Sequence, residues 1–363
     1  MMSKAILDTE VREKLAQMRC WLTSYGGGAI RLRGSDWFAW ATAGGSNTVL
    51  LTSETGVAEI LVTADIACVM TDEIEAQRLK DEEVSLNWTF HVIPWTEPQQ
   101  REQFVREAAS DKPVLSDRPG VGEQSLPAEA WYERMVLRIP ERQRYRELGV
   151  LAASAMTEAM QAVRPEWSEH QVAGAGAVAL WKRGIEPALT LVAGEQRLPR
   201  YRHATPSHAA VGQCAMMVFC ARRNGLYANL TRFVGFGKAA GRQHDIMAVE
   251  AAALAACLPS RRLSAVYWAL EDAYRRAGEP QAIRQHHQGG ITGYLARELI
   301  AAPATSLPLA CGMAVAFNPS FSGIKMEDTF LLEEGGLENL TCDPAWPAVN
   351  VEGRLRPLWL EVA

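Results

Sequence analysis

The sequence has no long apolar run, no paired cysteine motif and no excess of basic residues, and each absence excludes a class of protein. No stretch reaches the roughly 18 uninterrupted apolar residues of a membrane-spanning helix, and the charged segment 1–19 has no signal-peptide core. The formal net charge of −5 argues against a nucleic-acid partner. The seven cysteines include no CxxC pair, so we expect reduced thiols in a cytoplasmic protein.

Length and composition predict two globular domains. The chain has 363 residues, of which 48% are hydrophobic and 22% charged. This length suits one domain of about 130 residues and one of about 220. Around residue 138 the alternating helix and strand signals give way to a long helix, so we predict domains at 1–138 and 139–363.

The first domain is predicted to be an α/β unit with a mixed sheet, because helix and strand signals alternate along it. Its predicted helices are 8–24, which ends before three consecutive glycines, and 71–80, with Thr71 as the N-cap. Its predicted strands are 29–32, 37–41, 48–51, 58–62 and 91–94.

The second domain is predicted to be α+β. Its predicted helices are 141–163, 168–183, 244–257 and 264–277, and a capping box at Ser168 and Gln171 opens the second of them. Its predicted strands are 190–193, 215–221, 226–234, 313–318 and 329–333. Polar residues cluster on these strands, and we expect them to point into a functional site.

Four motifs of the second domain stand in a characteristic order. They are His203 with Pro206, GLYANLTR at 225–232, HHQGG at 286–290, and NP at 318–319 followed by MEDT at 326–329. Together with segment 34–79, which begins GSDWFAWATAGG, they resemble the creatinase, aminopeptidase P and prolidase family, an M24 peptidase-like group. The resemblance covers nearly all of the chain. It implies a pita-bread domain of the α+β class, a creatinase-like α/β domain before it, and a homodimer.

The metal ligands of that family have few counterparts in this chain. The family holds two divalent ions with two aspartates, a histidine and two glutamates. These positions fall, in chain order, on Val218, Asn229, Gly290, Asn318 and Glu327. Only Glu327 is a carboxylate, and segment 211–234 contains no acidic residue that a shifted alignment could bring into place. Hard divalent ions need several anionic oxygen ligands, so we expect no metal and no other cofactor.

Creatinases are metal-free relatives that hydrolyse a C–N bond, and the resemblance to them implies roles for the remaining polar residues. His203 matches their proton-transferring histidine, a residue type that can take and return a proton at neutral pH. Glu327 matches a carboxylate that stabilises a cation or orients His203. Arg297 matches an arginine that binds the substrate carboxylate. The predicted catalytic residues are thus His203 and Glu327, and the predicted substrate-binding residues are Arg297, Asn229, Asn318, His286, His287 and Tyr227.

These roles predict a metal-independent hydrolase acting on the C–N bond of a small, carboxylate-bearing substrate. One alternative is a non-catalytic pita-bread protein that binds a ligand or peptide. Another is an Xaa-Pro aminopeptidase or dipeptidase with an atypical metal site, such as a single ion on the three histidines and Glu327. Structural roles also stay open. Asn229 and Asn318 could form hydrogen bonds with each other, and Glu327 and Asp328 could form structural ion pairs with Arg232.

Overall fold

The chain divides into two compact units, Met1–Arg134 and Met135–Ala363. The computed structural model describes residues 3–85, 87–237 and 241–362. Among the helices in these ranges, none combines the length and the apolar character needed to cross a membrane.

The first unit is built on a mixed sheet, as predicted. Its helices are α1 (Lys4–Tyr25), α2 (Ser35–Ala41), α3 (Ala76–Arg78, followed by a π-helical turn at Leu79–Glu83), α4 (Gln99–Ala109) and α5 (Ala128–Met135). Its strands are β1 (Ala29–Gly34), β2 (Thr55–Val62), β3 (Ala67–Asp72), β4 (Thr89–Ile93), β5 (Val114–Ser116) and β6 (Gln124–Ser125). The sheet order is β4-β3-β2-β1-β5-β6, with β1–β2 and β2–β3 antiparallel and the other pairs parallel.

Segment 37–41 is helical, so the predicted strand there was wrong. Trp37 and Trp40 lie in α2 and are buried, with ring centroids 5.3 Å apart. Aromatic residues are common in strands because their side chains pack well on a half-buried pleated surface. Here the helix buries both rings instead, and Asp36 in its first turn carries the negative charge that a helix N-terminus favours.

Two further predictions in this unit were wrong. Segment 48–51 forms bends and turns, and Val49, Leu50 and Leu51 are exposed rather than buried in a strand. Thr71 lies in β3, where its hydroxyl donates to the carbonyl of Val57 instead of capping a helix. The side chain of Asp72 caps the following turn by accepting from the N–H groups of residues 74 and 75.

The second unit combines helices with antiparallel sheet, which confirms the predicted α+β class. Its helices are α6 (Ile139–Ala162), α7 (Glu169–Trp181), α8 (Gln243–Ala256) and α9 (Leu263–Arg276), with a 3₁₀ turn at Ala282–Arg284. Its longer strands are β7 (Glu186–Gly194), β8 (Cys214–Arg223), β9 (Leu226–Phe236), β10 (Gly289–Thr292), β12 (Ala314–Phe317), β15 (Asp328–Glu333), β16 (Gly336–Asn339), β17 (Ala348–Val351) and β18 (Arg354–Pro357). The short strands are β11 (Leu299–Ile300), β13 (Ser320–Phe321), β14 (Ile324–Lys325) and β19 (Leu360–Val362).

Two sheets of this unit position the polar residues. One has the order β19-β9-β8-β7 and the other the order β11-β10-β12-β15-β16. The sheets meet along β9, because the N–H of Thr231 donates to the carbonyl of Glu327 at 3.0 Å. We call the second of them the β10–β16 sheet.

Local sequence signals explain two elements of this unit. The predicted strands 215–221 and 226–234 correspond to β8 and β9, which form a hairpin, and Asn224 and Gly225 turn the chain with positive φ angles of 52° and 77°. An Asn-Gly pair is the favoured sequence for such a turn. Helix α7 begins with the predicted capping box, in which Ser168 and Gln171 each bond to the other's backbone N–H.

Candidate functional site

One face of the β10–β16 sheet carries two of the polar residues predicted from the sequence, Asn318 and Glu327. Gly290 pairs with Ala316, and Ala316 pairs with Thr329. Paired residues of antiparallel strands share a face, and so do alternate residues of one strand. Extending the β12–β15 register by one residue places Asn318 opposite Glu327. We call this surface the site face.

Asn229 of β9 packs against the site face. Its backbone N–H donates to the hydroxyl of Thr329 at 2.8 Å, and its side-chain amide donates to the hydroxyl of Thr292 at 3.0 Å. The structure therefore brings Asn229 to the same face as Asn318 and Glu327, although these residues come from three different strand regions.

Glu327 is buried between two cations. Its Oε1 lies 2.7 Å from the guanidinium of Arg297, and its Oε2 lies 2.8 Å from Nζ of Lys325 and 2.9 Å from the hydroxyl of Thr231. Burial alone would raise the pKa of this carboxyl, but Lys325 and Arg297 outweigh it and lower the pKa to about 2. Glu327 is therefore ionised at neutral pH.

Three histidines surround this charged cluster. Ring centroids are 5.9 Å apart for His203 and His287, 6.1 Å for His203 and His286, and 6.3 Å for His286 and His287. Burial and then Lys325 lower the pKa of His203, and the same two causes lower the pKa of His286 to about 4. Burial and then Arg297 lower the pKa of His287 to about 4. All three rings are thus neutral at pH 7.

The three rings differ in their hydrogen bonds. His286 bonds through Nδ1 to the carbonyl of His287 at 2.6 Å and through Nε2 to the hydroxyl of Ser320 at 2.7 Å. His287 accepts at Nδ1 from the N–H of Gly289. His203 is exposed, and neither of its ring nitrogens has a partner within residues 3–85, 87–237 and 241–362. His203 is therefore the ring with both nitrogens available for proton transfer, although His287 is exposed as well.

Three polar atoms of the site residues are buried without a partner in the described part of the chain. They are Oδ1 of Asn229, Oδ1 of Asn318 and Nε of Arg297. The two asparagines thus do not bond to each other through these oxygens. Arg297 uses its other nitrogens on Glu327 and on the carbonyl of residue 296. Buried polar atoms are usually paired, so such a group of exceptions needs an explanation.

Asp328 points away from the site face. It bonds to Arg232 at 2.8 Å, to Arg356 at 2.7 Å and to the hydroxyl of Thr341 at 2.7 Å. Thus Asp328, and not Glu327, pairs with Arg232. Tyr227 is half-buried, and its carbonyl accepts from the hydroxyl of Tyr145.

Two positions that would carry family ligands have no room or no donor for a metal. Val218 belongs to a buried apolar cluster that includes Met216 and Phe233. A Cβ atom on Gly290 would lie 2.0 Å from the carbonyl oxygen of Leu299, because β11 runs close beside it. Among the described residues, no group of three or more His, Cys, Asp or Glu side chains is placed to hold a metal ion.

The sequence reasoning missed two residues of the site. Lys325 and Thr231 both contact Glu327. Lys325 could have been found, because residues two apart in an extended chain point to the same side and Lys325 precedes Glu327 by two. Thr231 lies in the motif at 225–232, directly before Arg232.

Comparison with known protein families identifies the family of this chain. The model of metallopeptidase family M24 matches residues 143–334. No curated protein sequence matches the chain significantly.

Solved structures share the fold at low sequence identity. The X-Pro aminopeptidase of Thermotoga maritima MSB8 has a TM-score of 0.76 at 17% identity, covering 96% of this chain and 99% of its own. The Xaa-Pro dipeptidase of Bacillus anthracis has a TM-score of 0.77 at 15% identity, covering 97% and 100%. The N-terminal domain of the FACT complex subunit SPT16 of Cicer arietinum has a TM-score of 0.68 at 13% identity, covering 92% and 96%. The pita-bread fold is thereby confirmed, and the chain belongs to metallopeptidase family M24.

Proposed function

We propose that this protein is a metal-independent hydrolase of a C–N bond in a small, carboxylate-bearing molecule. One observation carries the proposal: His203 has an exposed ring with no hydrogen-bond partner among the described residues, and it lies beside a charged cluster on the site face. A neutral histidine with free ring nitrogens can act first as a general base and then as a general acid.

The reaction begins when His203 takes a proton from a water molecule. The water oxygen attacks the carbon of the scissile C–N bond and forms a new C–O bond. The C–N bond then breaks, and the leaving nitrogen receives the proton that His203 holds. Arg297 and Lys325 are fixed cations beside this centre, so they can stabilise negative charge that develops there or bind the substrate carboxylate.

The surroundings of Glu327 support metal independence. Both of its carboxylate oxygens already bond to protein cations, so a divalent ion would have to displace Lys325 or Arg297. Gly290 leaves no room for an imidazole, and Val218 offers no donor atom. These residues do not fit the two-ion centre of the family, and no step of the proposed reaction depends on a metal.

The test compares His203→Ala with His208→Ala, an exposed histidine outside the site. Both variants and the wild type are assayed for amine or ammonia release from a panel of N-acyl and N-carbamoyl amino acids. We expect His203→Ala to lose about 10²- to 10⁴-fold in rate and His208→Ala to keep the wild-type rate. Unchanged turnover in His203→Ala would refute the proposal.

Two measurements separate the proposal from its rivals. Two equivalents of manganese, cobalt or zinc in the purified protein would favour an Xaa-Pro peptidase. Thermal stabilisation by members of the panel without turnover would favour a non-catalytic binding protein. The homodimer and the cytoplasmic location stay predictions, and light scattering on the purified protein measures the former.

A further inference from the structure

The side-chain oxygen of Asn229 is a buried acceptor with a fixed orientation. The hydroxyl of Thr292 donates to the carbonyl of Leu295 at 3.2 Å and accepts from the Asn229 amide nitrogen at 3.0 Å. Exchanging the amide oxygen and nitrogen of Asn229 would place two acceptors together. Oδ1 of Asn229 is therefore the atom without a partner in the described part of the chain, and the residue has no exposed surface.

Asn318 supplies a second such acceptor. It is 3% exposed, and its Oδ1 has no partner in the described ranges. It lies opposite Glu327 on the site face, to which Asn229 also bonds through Thr292 and Thr329. Two unpaired acceptors at one charged cluster indicate that a bound molecule donates hydrogen bonds to them.

The charges of the site decide what kind of donor fits. Arg297 and Lys325 are cations and Glu327 is an anion, while the three histidines are neutral at pH 7. Asp328 does not contribute, because it faces away and is paired with two arginines. The cluster therefore has one excess positive charge, which favours an anionic ligand and opposes a second cation.

Resting on the proposed function, we propose that the substrate presents an uncharged N–H group, from a carboxamide or a carbamoyl group, to Oδ1 of Asn229 and Oδ1 of Asn318. Its carboxylate then balances the excess charge of Arg297 and Lys325. A guanidinium or ammonium group in the same place could donate hydrogen bonds to the two asparagine oxygens, but the excess positive charge of the cluster would repel it.

Three small probes of similar size test this recognition by calorimetry. N-carbamoylglycine carries a carboxylate and an uncharged N–H group, guanidinoacetate carries a cation instead, and monomethyl succinate carries no N–H group. We expect N-carbamoylglycine to bind about tenfold more tightly than either of the others, which is the effect of one well-placed hydrogen bond or charge. Equal or tighter binding of guanidinoacetate or of monomethyl succinate would overturn the inference.

Two variants sharpen the test. Asn229→Asp and Asn318→Asp keep the side-chain shape and add a negative charge, so each should shift preference towards guanidinoacetate by about tenfold. Circular dichroism checks that each variant is folded, and either variant alone suffices if the other is not. Two folded variants with the wild-type preference would contradict the assignment of these oxygens.

The outcomes distinguish this inference from the hydrolase proposal. His203→Ala should still bind N-carbamoylglycine, because His203 is not one of the two acceptors. Wild-type binding of N-carbamoylglycine without hydrolysis of any panel member would overturn the hydrolase and leave the recognition intact. Hydrolysis with a preference for cationic substrates would overturn only the recognition.

Discussion

Glu327 and Asp328 are neighbours in the chain, yet they belong to two very different buried networks. On the side of Asp328, Arg356 bonds to Asp328 and makes two bonds of 2.6 Å to Glu250. Within the described residues, no polar atom of the Asp328, Arg356 and Glu250 side chains is buried without a partner. On the side of Glu327, three buried atoms have no partner among the described residues: Oδ1 of Asn229, Oδ1 of Asn318 and Nε of Arg297. The first network is complete without a ligand and supports the fold, whereas the second contains the acceptors that our proposal assigns to a bound substrate.

The largest expected effect comes from breaking the complete network. Asp328→Asn leaves Arg232 and Arg356 with too little buried negative charge, which costs about 3–5 kcal/mol of unfolding free energy. Urea denaturation measures this loss, and Glu334→Gln, at an exposed residue nearby, should change stability by less than about 0.5 kcal/mol.

Glu327→Gln sharpens the same comparison. Its loss should be less than half that of Asp328→Asn, because Arg297 and Lys325 keep 15% and 8% of their side chains exposed and can contact water. Equal losses in the two variants would show that both networks are structural.

A smaller effect is expected from filling the site face beside β11. Gly290→Ala places a methyl group against the backbone of Leu299 and Ala301, which costs about 1–3 kcal/mol as β10 and β11 move apart. Gly174→Ala is the matched control: this position in α7 is open, and the substitution should stabilise the helix by about 0.5–1 kcal/mol. An unchanged unfolding free energy in Gly290→Ala would mean that β11 can move away from β10 at little cost.

The site histidines predict a dependence of stability on pH. His286 has its pKa lowered from 6.5 to about 4, so between these values the unfolded chain binds more protons than the folded one. Stability contributed by neutral His286 is complete above pH 6.5 and is lost as the pH falls towards 4. Allowing for partial exposure, the loss is on the order of 1–2 kcal/mol. His286→Gln should flatten this slope in thermal melts, and an unchanged slope would assign the dependence to other groups.

The smallest expected effect is that of metal removal. Dialysis against EDTA should change the melting temperature by less than about 1 °C, because an ion that is not bound contributes no stabilisation. A larger fall, reversed by manganese or zinc, would contradict the interpretation of Lys325 and Arg297 as the partners of Glu327.

Local signals in the sequence predicted local structure well. The Asn224-Gly225 turn and the capping box at Ser168 depend on residues close in the chain, so the hairpin and the start of α7 were predictable. The strand prediction for the aromatic segment 37–41 was wrong, because its helical form depends on burial against distant side chains such as Trp21 and Trp131.

The pairing of charges in the site was less predictable. The resemblance to a family placed Glu327 and Arg297 in one cleft, but no sequence pattern states that they bond to each other. The positions of the side-chain oxygens of Asn229 and Asn318 depend on three-dimensional packing. The hydrogen bond from the Asn229 amide to Thr292 orients the first, and the register of β12 with β15 places the second. Such absences of partners have no signature in a sequence.

The close approach of β11 to Gly290 has a consequence for protein engineering. Placing an aspartate at position 229 is an isosteric exchange, and a glutamate at position 318 adds one methylene, whereas an imidazole at position 290 meets the carbonyl of Leu299. A designer who wants a dinuclear centre on this scaffold must first rebuild the β10–β11 connection, and only then exchange ligands. The backbone, more than the missing side chains, thus limits which catalysts this chain can become.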